Sequence, residues 1–248
     1  MNSKPWERFL SENDRAHLDA REAHRLYGWG EKPALLLIDI YRGVFGDKRE
    51  PLLDAIKTWP GSTGPAGWDA VERVRELLGV ARDVGIPVIH VTGNPGVPHW
   101  SDRIGVERRA PSDPAAADRH RRRFDIVEQV APIEGEVVFR KSSPSAFWTT
   151  ALIPHLRYID VDTLIVCGES TSGCVRATVV DGCTNRCRMM VVEEGVWDRH
   201  ETAHAMNLFD MHQKYADVVS LAETIDWLRA WRAQGSAAGE RELASVSG

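Results

Sequence analysis

The chain has 248 residues, 43% of them apolar and 27% charged, which is enough to enclose one large core or two small ones. A net charge of −5 excludes a nucleic-acid binder built on a basic surface, and no segment nears the ~18 apolar residues of a membrane span. Four cysteines in a chain this long make no disulfide scaffold, and the densely charged N-terminus lacks a signal-peptide core, so free thiols and a cytoplasmic location are expected.

Residues 1–32 read as an N-terminal extension, with a polar helix over 12–27 leading into Gly28. The apolar run 34–40 predicts a strand buried on both faces and ending near Asp39, followed by a glycine-containing loop. Val71, Val74, Leu77, Leu78 and Ala81 recur at helical spacing, predicting a helix over 68–84 that Gly85 stops. Residues 86–92 form a second buried strand. The segment 93–132, rich in proline and charge, is too long for a plain connection and reads as a cover over a site or a contact with a neighbouring subunit. Its basic run at 119–123 reads as a solvated helix start or a subunit contact.

Strands over 136–141, 163–167, 188–192 and 216–220 then alternate with helices over 146–159, 174–186, 200–214 and 222–234. The small, polar residues 235–248 are expected to be a disordered tail. This alternation predicts an α/β fold: a doubly wound, mostly parallel six-stranded sheet with helices on both faces, a Rossmann-like three-layer domain spanning 33–234.

In such sheets the ligand sits beyond the carboxyl ends of the strands. Asp39 ends the first strand, Lys141 the third, and Cys174 follows the fourth, so three chemically able side chains converge on one edge. Each has a plainer reading: Asp39 as a loop cap, Lys141 as a surface lysine, Cys174 as a core thiol. Cys167 lies within an apolar strand and reads as core. Cys183 and Cys187, four apart on one helix face, read as helix packing rather than as a metal pair. His90, His99 and Asp102 match no ligand spacing, and the glycines at 43, 46, 61, 64 and 67 make no phosphate-cradling fingerprint, so neither metal nor cofactor is expected.

With ALLLID ending in Asp39, Lys141 followed by Ser145-Ala146-Phe147, GESTSGCV carrying Cys174, and the closing segment DRHETAHAMNLFDMHQKYADVVS, the chain resembles the isochorismatase-like cysteine hydrolase family over most of residues 33–221. The closing segment looks like the last helix and strand of the branch that includes N-carbamoylsarcosine amidase and maleamate amidohydrolase. The resemblance implies a Cys174-Asp39-Lys141 triad, a cis peptide bond at Glu169–Ser170, and an oxyanion hole of the Ser170 and Cys174 N–H groups. In that triad the Lys141 charge would lower the thiol pKa. Thr171 and Ser172 either shape the nucleophile turn or cap the helix after it. Val91-Thr92-Gly93-Asn94 stands where related nicotinamidases carry a metal-binding D-x-H loop, so that site is missing.

The implied reaction is hydrolysis of a C–N bond in a small amide, ureido or carbamoyl substrate, releasing ammonia through a thioester. Tyr41, Phe45, Phe147, Trp148 and Trp197 are candidate pocket walls, and Arg176 or Arg199 a candidate partner for a substrate carboxylate; for each, core packing or a subunit contact is the alternative. A homo-oligomer, dimer or tetramer, is expected. Two other functions stay open: hydrolysis of a different small metabolite, and an idle relative that only binds one.

Overall fold

The computed structural model describes residues 4–20, 26–95 and 113–246, with side chains of its last helix described to residue 234. In chain order the elements are α1 (Glu12–Ala20), β1 (Pro33–Ile38), α2 (Arg42–Phe45), α3 (Leu52–Thr58), α4 (Pro65–Val84), β2 (Val88–Gly93), α5 (Pro114–Arg122), β3 (Val137–Lys141), α6 (Leu152–Tyr158), β4 (Thr163–Glu169), α7 (Arg176–Thr184), β5 (Arg188–Trp197), α8 (Glu201–Lys214), β6 (Asp217–Val219) and α9 (Leu221–Val246). The six strands form one sheet in the order β3-β2-β1-β4-β5-β6 with every pairing parallel, the expected α/β arrangement.

Alternation along β1 divides the core in two. Leu35 and Leu37 face one layer, where they cluster with Val71, Val74, Leu77 and Leu78 of α4 and Ile225 and Leu228 of α9. Leu36 and Ile38 face the other, with Leu152 and Leu156 of α6, Val179 of α7 and Leu208 of α8. All six β1 residues are buried, which explains an uninterrupted apolar run instead of an alternating one. Helix α4 ends where Gly85 turns left-handed at φ 80°, its N–H reaching back to the Ala81 and Arg82 carbonyls.

Several boundaries differ from the sequence reading. Helix α6 starts at Leu152, not Ala146, because hydroxyls in the segment before it bind backbone locally: Thr149 Oγ1 accepts from Ser142 N at 3.1 Å, and Thr150 Oγ1 donates to Ala146 O at 2.6 Å. Helix α7 ends at Thr184, so Cys187 lies beyond it and does not share a helix face with Cys183. The basic run falls at the end of α5, not its start. There cations suit the helix dipole, and Arg121 and Arg122 pair with Asp118 and Asp125. The α9 backbone stays helical past residue 234 to Val246. No described helix is long and apolar enough to cross a membrane.

Candidate active site

Strand order reverses between β1 and β4, which opens a crevice beyond their carboxyl ends. The two strands approach so closely there that a Cβ on Gly168 would lie 1.9 Å from the Ile38 carbonyl oxygen, and Gly168 sits at φ 125°, so only glycine fits. Just past β1, Asp39 adopts φ 55°, with its N–H donating to Val91 O at 2.8 Å. This turn directs its carboxylate across β2 toward the end of β3.

Three side chains meet at this edge. Lys141 Nζ lies 2.7 Å from Asp39 Oδ2, donates to Cys174 Sγ at 3.3 Å, and donates to Ser143 O at 3.1 Å. Asp39, Lys141 and Cys174 are 2%, 3% and 7% exposed, so their charges interact away from bulk water. Asp39 Oδ1 is buried and has no hydrogen-bond partner among the described residues, which leaves one carboxylate oxygen available to a proton.

Burial alone would pull the Lys141 ammonium down, but the Asp39 charge and the contacts with Asp39 and Cys174 outweigh it and hold the group above its ordinary range. For Cys174 the sequence expectation is corrected. Burial first, then the Asp39 charge, pushes the thiol up, and the opposing pull of Lys141 does not reverse this. The resting nucleophile is therefore a neutral thiol beside a carboxylate that can accept its proton.

The turn bearing Cys174 is fixed from outside. The Glu169–Ser170 peptide bond is cis, and Gly173 and Val175 both donate to Ser170 O, at 2.9 and 3.2 Å. Thr171 and Ser172 make no helix cap. Thr171 Oγ1 instead hydrogen-bonds His204 Nδ1 at 2.8 Å, and Ser172 donates through N and Oγ to Asp198 Oδ2 at 2.8 and 2.6 Å. Sequence reasoning missed Asp198 and His204 as supports, since they lie 26 and 33 residues downstream of their partners and nothing local marks them.

The remaining candidates separate. Tyr41 is half-buried, edge-on to Phe124 at 5.1 Å, and lies within electrostatic reach of Asp39, Glu169 and Cys174, so it borders the centre. Phe45 and Trp197 pack against each other at 5.5 Å in the core, with Trp197 Nε1 donating to Thr63 Oγ1 at 3.2 Å. Phe147 leans on the core beside α7, while Trp148 is 65% exposed. Arg176 pairs with Asp210 at 2.9 Å. Arg199 Nη1 lies 3.2 Å from Glu169 Oε2, and its Nη2 donates to Gly61 O.

His90 is buried within β2, with Nε2 2.8 Å from Glu136 Oε2, and so serves the structure, while His99 and Asp102 lie outside the described residues. Among the described residues no group of three or more His, Cys, Asp or Glu side chains could hold a metal ion. A cleft of about 470 Å³ lined by Asp69, Arg73, Glu194, Arg199 and His204, among others, lies beside the end of β5 and includes none of the three central residues.

The chain is similar to known proteins. The isochorismatase domain model matches residues 33–223. A maleamate amidohydrolase from Pseudomonas putida is 39% identical over 82% of this chain and 89% of its own length. An N-carbamoylsarcosine amidase from Arthrobacter sp is 30% identical over 83% of this chain and 75% of its own. The crystal structure of an isochorismatase family protein from Desulfovibrio vulgaris subsp. vulgaris str. Hildenborough is 26% identical, covers 81% of this chain and 100% of its own, and superposes with a TM-score of 0.64.

Proposed function

This chain belongs to the isochorismatase family, and on that premise we propose that it is a cysteine-dependent amidohydrolase that releases ammonia from a small amide or ureido compound. The observation that carries the reading is the contact of one buried ammonium, Lys141 Nζ, with both Asp39 Oδ2 at 2.7 Å and Cys174 Sγ at 3.3 Å. Similarity to two amidohydrolases supports the choice of bond.

Cys174 Sγ attacks the amide carbonyl carbon while Asp39 accepts the thiol proton. Lys141 stabilises the sulfur as it acquires charge and keeps the carboxylate aligned. The carbonyl oxygen turns toward the N–H groups of Ser170 and Cys174, donors whose loss typically costs about 3 kcal/mol of barrier. Asp39 returns the proton to the departing nitrogen, leaving a thioester and ammonia. Water attacks the thioester with Asp39 again as base, and the acid leaves as Cys174 recovers its proton. Tyr41 borders the acyl group, and Arg199 receives a carboxylate at the far end of the substrate.

The test is ammonia release from a panel containing maleamate, succinamate, N-carbamoyl amino acids and neutral amides, with Cys174→Ala beside the parent. Release from the parent that vanishes in Cys174→Ala is the expected result. Release that persists in the variant overturns the nucleophile assignment.

A further inference from the structure

Glu169 is a charged residue that takes no part in the proposed reaction. It is the last residue of β4, paired in register with Trp197, and 6% exposed. Its carboxylate faces Arg199 and Asp198 from the segment after β5 and Asp39 from the segment after β1, and acts in turn on Tyr41 and Cys174. Its one ion-pair partner among the described residues is Arg199, the cation that the proposed function gives to the substrate carboxylate. Arg199 is 30% exposed at its side chain and Glu169 8%, so the guanidinium reaches solvent while the carboxylate backs it from inside.

We infer that Glu169 is an internal stand-in for the substrate carboxylate: it occupies Arg199 in the free enzyme and accepts a proton from solvent when an amide that also bears a carboxylate arrives. The inference rests on the proposed function, because it assumes that substrate reaches Arg199. Two carboxylates cannot share one guanidinium in a buried site while a third, Asp39, stays nearby; like charges there oppose one another strongly. The exchange balances without other reactants. One substrate anion enters, one proton neutralises Glu169, and the net charge of the pocket is unchanged.

Burial already favours the neutral acid. It pushes the Glu169 carboxyl up to about 7, against the opposing pull of Arg199 and with help from Asp39 and Asp198. Once neutral, Glu169 changes from acceptor to donor and can hydrogen-bond the incoming carboxylate. The specificity that follows is for short monoamides of dicarboxylic acids, with binding that weakens as protons become scarce.

The test uses Cys174→Ala, which binds without turnover, and titrates it calorimetrically with maleamate at pH 6 and pH 8.5 in buffers of different ionisation heat. The expected result is uptake of about one proton per maleamate at pH 8.5 and little at pH 6, with Kd rising about tenfold per pH unit above 7. Adding Glu169→Gln, or Glu169→Ala as a second variant, abolishes the uptake and flattens the pH dependence, whereas adding Arg199→Met removes binding at both pH values.

Binding without proton uptake, uptake that survives loss of Glu169, or tight binding after loss of Arg199 each overturns the inference. So does failure of maleamate to bind while the parent hydrolyses neutral amides, an outcome that leaves the hydrolase reading standing. If no amide releases ammonia from the parent, that reading fails instead. The calorimetry needs no turnover and decides the role of Glu169 on its own.

Discussion

Thr178 donates its hydroxyl proton to the Cys174 carbonyl at 2.7 Å and accepts from the Ala146 amide at 3.0 Å. One fully buried side chain thereby ties the helical turn that carries the nucleophile to the segment following Lys141. Thr178→Val keeps the shape but leaves the Ala146 N–H unpartnered in the core. The expected loss is about 1–3 kcal/mol of stability in urea unfolding, with kcat falling more than KM changes. Thr178→Ser keeps the hydroxyl and should recover most of both. A larger loss in the Ser variant than in the Val variant would show that the methyl group, not the bridge, matters.

The Asp39–Lys141 pair is buried on both sides, so removing one partner differs from removing both. Lys141→Met strands a carboxylate and should destabilise the fold by about 3–5 kcal/mol. The double variant Asp39→Asn/Lys141→Met lacks the stranded charge and should regain a large part of that loss while remaining inactive. Chemical denaturation of the four members of the cycle measures the coupling. Additive effects would mean that the pair contributes nothing to stability as a pair.

The sequence disclosed the sheet because β1, β2 and β4 are buried on both faces, so that β1 is an unbroken apolar run and the other two are largely apolar, and it placed Asp39, Lys141 and Cys174 at one edge because strand ends in a parallel sheet share a side. It did not disclose α2 and α3, which are four and seven residues long and too short to establish a helical period. The direction in which the Cys174 thiol moves was also hidden. Lys141 is visible in the sequence as a neighbouring cation, but the burial that outweighs it is a property of the assembled core. Asp198, Thr178 and His204 escaped for a related reason: each holds the nucleophile turn through a contact with a segment distant in sequence, which exists only once the elements have docked.

Acid sensitivity should centre on the far side of β2. Burial would raise the Glu136 carboxyl, but hydrogen bonds from Arg82 and His90 outweigh it and bring the group down to about 2. A carboxyl held below its unfolded value of about 4.3 stabilises the fold above that pH and loses the contribution as pH falls toward 2. His90 adds to the effect from higher pH. Burial holds its imidazole below the ordinary range, so below about pH 6.5 the unfolded chain takes up a proton that the native state refuses. Thermal unfolding should therefore show Tm falling from pH 6.5 downward and steepening below 4.5. Glu136→Gln should lower Tm at pH 7 and remove the steep lower limb; a limb that persists would locate the acid sensitivity elsewhere.

Asp39 plays two opposed roles toward the nucleophile, and one substitution separates them. As a neighbouring negative charge it raises the Cys174 thiol, and as a base it accepts the thiol proton during attack. Asp39→Asn removes both. With only Lys141 left beside it, the sulfur ionises more readily, and a thiol pKa lower by one gives roughly tenfold more thiolate while the thiol form predominates. Iodoacetamide at pH 7.5 should then label Cys174 faster in the variant than in the parent, by about threefold or more if the thiol pKa falls by even about 0.5. Labelling of half-buried Cys183 in the same sample is the internal control. Amide hydrolysis should nevertheless vanish, because nothing remains to protonate the departing nitrogen. Peptide mapping by mass spectrometry alongside an ammonia assay reads both quantities. Slower labelling together with lost hydrolysis would mean that Asp39 acts on the resting thiol chiefly as a base, and that the Lys141 charge alone does not sustain a thiolate at this depth.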